Sequence, residues 1–201
     1  MSLQPHLSLK SRIAGSLRSR LLAGEWEPGT RLKEELLAFD FQVSRSPIRD
    51  ILLELTKEGY LQAAPNKGVS VRNLRADPGR GFFVRMRCRI ESFALADSVP
   101  GWSEASLNKL QEILIHFRVA AELGNLPGVI EQDIRFHRAL VESYSGAGLI
   151  EIWLPLMTTM AFPYSRHANL MESYEEHLPV YNSIREGDRE SATRFLVEHI
   201  R

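Results

Sequence analysis

Apolar residues recur at helical spacing near the start of the chain. Leu9, Ile13, Leu17, Leu21 and Leu22 put one stripe on a helix predicted over 7–23, which Gly24 ends. Glu25-Trp26-Glu27-Pro28-Gly29-Thr30 reads as a turn, with Pro28-Gly29 its strongest punctuation. A short helix is predicted over about 33–39, and Asp40-Phe41-Gln42-Val43 then turns the chain into a second one. There Ile48, Ile51, Leu52 and Leu55 form a single apolar face. Ser46 is the expected N-cap, Pro47 the first helical residue and Gly59 the left-handed stop. A short helix, a tight turn and a capped second helix make a helix-turn-helix. Tyr60-Leu61-Gln62-Ala63 and Val69-Ser70-Val71 then alternate around Pro65-Asn66-Lys67-Gly68, a hairpin signal directly behind the second helix and hence a candidate wing.

The pattern changes after residue 73. Residues 74–81, with Asp77-Pro78-Gly79, read as a linker, and everything beyond is helical in period. Helices are predicted over 82–99, 103–123, 126–144, 149–171, 173–186 and 188–201, punctuated by Pro100-Gly101, Gly124-Asn125, Gly146-Ala147-Gly148 and Gly187. Pro155 and Pro163 should kink or split the fourth. The expected fold is mainly α: a winged helix-turn-helix over 7–73 joined to an all-α bundle over 82–201.

Composition adds little to this, and charge somewhat more. The chain of 201 residues is 44% hydrophobic and 25% charged, ordinary for a globular protein, and its formal net charge is zero. The charge is unevenly spread: residues 1–75 hold 12 Lys/Arg against 8 Asp/Glu, residues 76–201 hold 13 against 17. A basic front and an acidic back suit a nucleic-acid module joined to something else. The single cysteine, Cys88, excludes an internal disulfide and reads as a small buried hydrophobe. With no membrane-length apolar run and no signal-peptide core, a cytoplasmic location is expected.

The chemistry gathers at two places. Ser44, Arg45, Ser46 and Arg49 lie at the entry and first turn of the second helix, the end of a recognition helix that meets base edges and phosphates. Lys67 at the wing tip would meet phosphate or the minor groove, and Gly68 lets the backbone approach. This half resembles the GntR family of bacterial transcription regulators. The resemblance rests on Gly24, Trp26, Pro28-Gly29-Thr30-Arg31-Leu32, Glu35-Leu36, Val43-Ser44-Arg45-Ser46-Pro47-Ile48-Arg49, Leu53, Leu55, Glu58-Gly59, Gly68 and Val71. It implies double-stranded DNA as partner, and Arg31 joins the expected contact set.

The second place is Asp133 and His137, spaced i, i+4 on one helix face. The back half is similar to the FCD ligand-sensing domain of the FadR-like subfamily, through Arg87-x-x-Ile90-Glu91, Asp133-x-x-Phe136-His137, Glu176-His177 and Glu198-His199. The resemblance implies that Asp133, His137, His177 and His199 ligate one metal and that Arg87 pairs with the carboxylate of a small organic-acid effector. One carboxylate and three imidazoles suit zinc or nickel, with manganese possible for the carboxylate's sake. His6, His116 and His167 match nothing. The expected protein is a homodimeric, metal-bearing regulator, a repressor by family habit, on a palindromic operator. Two alternatives stand beside it. One is a metal-dependent hydrolase with an accessory winged domain, for which the spacing singles out no general base although Glu131 and Glu176 lie near ligands. The other is a scaffold whose winged helix binds protein.

Overall fold

The computed structural model describes residues 8–64, 68–72, 79–99, 101–146, 148–161 and 169–200. They fall into two compact units, one within 1–73 and one within 74–201.

In the first unit, α1 (Leu9–Leu22) starts at Ser8, whose hydroxyl accepts from the Ser11 amide. Then follow β1 (Arg31–Leu32), α2 (Glu34–Asp40), α3 (Arg45–Lys57), β2 (Leu61–Ala64) and β3 (Gly68–Val71). The predicted face of α3, Ile48, Ile51, Leu52 and Leu55, is buried, as are Ile13, Leu17 and Leu21 of α1 and Leu37 of α2, the helices α3 packs on. At about 1.5–3 kcal/mol per fully buried side chain, this face is what fixes α3 on α1 and α2. Gly59 is left-handed at φ 87° directly after the C-cap, as expected. The start of α3 differs from expectation: Ser44, extended at φ −69° and ψ 166°, is the N-cap, so Ser46 and Pro47 lie inside the first turn. Proline is tolerated there because none of the first-turn amides has an intrahelical acceptor.

The wing holds a strand that the pattern did not suggest. The sheet order is β1-β3-β2, all antiparallel, with Arg31 opposite Ser70 and Ala64 opposite Gly68. A two-residue strand has no period to detect. The wing tip, including Lys67, lies outside the described residues, as does most of the expected linker.

The described elements of the second unit are all helices: α4 (Arg80–Ser98), α5 (Glu104–Glu122), α6 (Leu126–Glu142), α7 (Leu149–Ala161), α8 (Leu170–Glu175), α9 (His177–Glu186) and α10 (Arg189–Ile200). α6 is central, packing against α4, α5 and α7, while α10 packs on α4 and α9. Leu95, Leu110, Phe136, Leu140, Val180 and Leu196 form its core. Two helix expectations change. α7 is not split at Pro155 and is described only to Ala161; Pro163 lies outside the described residues. The helix predicted over 173–186 is two helices with a turn at Glu176. Pro179 accounts for the break, since in an unbroken helix its ring would meet the carbonyl of Glu175, four residues earlier, and it has no amide to donate.

Candidate metal centre and nucleic-acid interface

Helix α6 is buried on nearly every side, and its period carries Asp133 and His137 inward together. His177 opens α9, and His199 lies in the last turn of α10. All four are buried. They bring one ligand atom each to within 4.8 Å of one another. Asp133 Oδ1 is 3.7 Å from His137 Nε2, 3.2 Å from His177 Nε2 and 3.9 Å from His199 Nε2. The Nε2 atoms of His137 and His199 are 3.0 Å apart. A shell at about 2.0–2.2 Å from a divalent ion separates neighbouring ligands by roughly 3–3.5 Å; the four distances above, 3.0–3.9 Å, lie near that range, and small side-chain shifts would bring the set onto one ion.

The other ring nitrogens show what these four atoms carry. His137 Nδ1 lies 2.6 Å from Glu91 Oε2, His177 Nδ1 2.7 Å from the Ser173 carbonyl, and His199 Nδ1 2.9 Å from Glu176 Oε2. A carboxylate or a carbonyl only accepts, so each Nδ1 carries a proton, and a ring that is neutral then presents a bare Nε2. With the rings neutral, three lone pairs and a carboxylate oxygen face one another with no proton between them. His177 Nε2 and Asp133 Oδ1 are close enough for an ion contact, yet the buried nitrogen has no hydrogen-bond partner among the described residues. That arrangement is repulsive without a cation, and the donor set fits a divalent one. Phe117 and Phe136 pack edge-on against the His177 ring at centroid distances of 4.8 Å and hold it in place.

Glu91, Arg87 and Trp153 complete the buried polar cluster. Glu91 Oε1 accepts from Arg87 Nε at 2.8 Å and from Trp153 Nε1 at 2.7 Å. Burial pushes the Glu91 carboxyl up, but Arg87, His137 and Trp153 outweigh it and hold it at about 2. Burial and the Arg87 charge push His137 toward its neutral form despite Glu91, the form a ligand needs. Arg87 Nη2 is buried and, among the described residues, meets no hydrogen-bond partner. Arg87 is thus a buried pair with one arm to spare, while Arg85 and Arg89 are exposed as expected.

Sequence reasoning missed the groups behind the ligands. Arg87 and Glu91 are spaced i, i+4, so their pairing was readable. Trp153 and the Ser173 carbonyl carried no signal. Glu176 precedes one ligand but serves another, His199.

On the first unit, the Ser44, Arg45, Ser46 and Arg49 side chains are exposed at the N-terminal end of α3. The hydroxyl of Ser44 makes no capping bond. Arg49 is bound by Glu34, Nη2 to Oε2 at 2.9 Å, and Arg45 by Glu35 at 2.9 Å, both glutamates at the start of α2. Gly68 is left-handed at φ 74°, and a Cβ there would lie 3.2 Å from Arg31 Nε and Nη2. The exposed Arg31 therefore lies across the start of the wing strand.

Comparison with known proteins agrees with this two-part reading. Residues 9–71 match the family described as bacterial regulatory proteins, gntR family, and residues 83–201 match the FCD domain. The chain is 30% identical to the gluconate operon transcriptional repressor of Bacillus licheniformis, over 82% of this chain and 68% of that one. It is 23% identical to the HTH-type transcriptional repressor RspR of Escherichia coli K12, over 98% of this chain and 88% of that one. The solved structure of E. coli McbR/YncC superposes with a TM-score of 0.76 at 24% identity, covering 96% of this chain and 94% of that one. No described helix is long and apolar enough to cross a membrane.

Proposed function

The chain belongs to the gntR family of bacterial regulatory proteins and carries an FCD domain, which makes it a DNA-binding transcription regulator rather than an enzyme; from that premise we propose that its helical unit holds a divalent metal and senses a small organic acid beside it. One observation carries this reading: four buried ligand atoms converge, the other nitrogen of each imidazole facing an acceptor, next to a buried arginine with a spare Nη2. Asp133, His137, His177 and His199 are the ligands, for zinc or nickel before manganese. The bound ion supplies a Lewis-acidic centre for the acid's carboxylate. Arg87 offers Nη2 to the same acid, in the forked geometry that suits carboxylates. One relative represses a gluconate operon, and gluconate is itself a small carboxylate.

Two chains pair through their helical units and set two α3 helices in successive major grooves, about 34 Å apart on a palindrome. Arg45 and Arg49 reach guanines or phosphates, Ser44 and Ser46 reach phosphates, and Arg31, Lys67 and Gly68 serve the wing. Arg87 sits seven residues into α4, the helix that follows the DNA unit in sequence, about 10 Å from its start. An acid held by Arg87 therefore acts on the first described helix after the DNA unit in sequence.

The test is metal content per chain, on protein purified without chelator or nickel resin, beside His137→Ala and His177→Ala. Near-stoichiometric metal in the wild type, lost in both variants, is expected, with citrate then binding to the loaded protein by calorimetry. Wild type that is metal-free and refuses added zinc, nickel and manganese overturns the metal reading. The DNA assignment would stand untouched.

A further inference from the structure

Glu91 is fully buried and accepts from three helices at once. Its Oε1 takes Arg87 Nε of α4 and Trp153 Nε1 of α7; its Oε2 takes His137 Nδ1 of α6. The two oxygens thus divide their work, one facing the arginine and the indole, the other facing a metal ligand. We propose that Glu91 is a positioning residue shared by the two recognition elements of the site: it fixes which nitrogen of His137 faces the metal and holds Arg87 with Nη2 open. The proposal rests on the metal reading above.

The argument turns on the symmetry of a carboxylate. All three partners are donors, and only a group that accepts at both ends satisfies them. An amide of the same shape cannot. With its oxygen toward Arg87 and Trp153, a glutamine would present its NH2 to His137 Nδ1. The ring must then take the other tautomer, placing an N–H on Nε2, where it points at Asp133 and His199. Turned the other way, the NH2 would oppose two N–H donors in a buried site, which costs more than the tautomer change. Glu91→Gln therefore disables a ligand without altering any ligand. Glu176, the partner of His199 Nδ1, makes the natural control. Its side chain is 37% exposed, so water can take over the acceptor role there.

Two measurements test this. The first is metal affinity by competition with a chromophoric chelator, read with the visible spectrum of the cobalt-loaded protein, for wild type, Glu91→Gln and Glu176→Gln. We expect Glu91→Gln to bind about 10–100-fold more weakly with an altered cobalt spectrum, and Glu176→Gln to lose less. The second is the ring-nitrogen NMR shifts of His137 in metal-free wild type, which need no variant to fold. Protonated Nδ1 with bare Nε2 is expected, and the reverse overturns the proposal. Wild type that binds metal while Glu91→Gln binds it equally well, with the same spectrum, overturns the role of Glu91 and leaves the metal reading standing. Wild type that takes up no metal removes both.

Discussion

Arg49 and Arg87 each close on a glutamate at nearly the same distance, 2.9 Å to Glu34 and 2.8 Å to Glu91. Their surroundings are opposite. The side chains of the first pair are 65% and 25% exposed, those of the second 7% and 0%. An exposed pair is screened by water and salt and contributes little. Arg49 can therefore leave Glu34 for a phosphate at small cost, which is what a DNA-contacting arginine requires. A buried pair has already lost its hydration, and neither partner can be given up without stranding the other. Arg87 and Glu91 hold a fixed cluster in the core of the helical unit. Distance alone does not distinguish the two roles; burial does.

The largest expected effect comes from breaking the buried pair. Arg87→Met keeps an unbranched apolar stem and removes the charge, leaving Glu91 buried with His137 and Trp153. A loss on the order of 3 kcal/mol is expected, measured by urea unfolding of the metal-free protein. Arg49→Ala, run beside it, should leave the unfolding midpoint where it was. If the two variants are equally stable, the contrast between the pairs is wrong.

The same Arg49→Ala variant sharpens the other half of the comparison. Removing one phosphate contact should lower the slope of log affinity against log salt by about 0.9 on a selected operator. An unchanged slope would take Arg49 out of the contact set, however exposed it is.

How much of this was readable in the sequence follows from how local each signal is. The α3 face and the Gly59 stop lie within a few residues of each other and were readable. The first residue of α3 was not, because a serine at 44 or 46 and a proline anywhere in the first turn satisfy the same rules. β1 exists only through its pairing with β3, some 40 residues away. The site divides the same way. Asp133 and His137 share a face by spacing alone. The approach of His177 and His199 rested on family resemblance, because nothing in local pattern brings α9 and α10 to α6. Glu91 and Trp153 meet across 62 residues, and the Ser173 carbonyl has no side-chain identity to read.

The smallest expected effect lies in the first unit, at the turn before α3. Gln42 is the one described non-glycine residue with positive φ, at 54°. A side chain in the left-handed region costs roughly 1 kcal/mol, because Cβ crowds the following carbonyl. The side chain of Gln42 is exposed, so its removal forfeits no core packing. Gln42→Gly relieves the crowding but also loosens the unfolded chain, which returns part of the gain. A net stabilisation of about 0.5 kcal/mol is expected, seen as a small rise in the unfolding midpoint of the DNA unit and none in that of the helical unit. A fall instead would mean that the turn relies on the stiffness of Gln42. The start of α3, where Arg45 and Arg49 are presented, would then be held by its backbone as well as by Glu34 and Glu35.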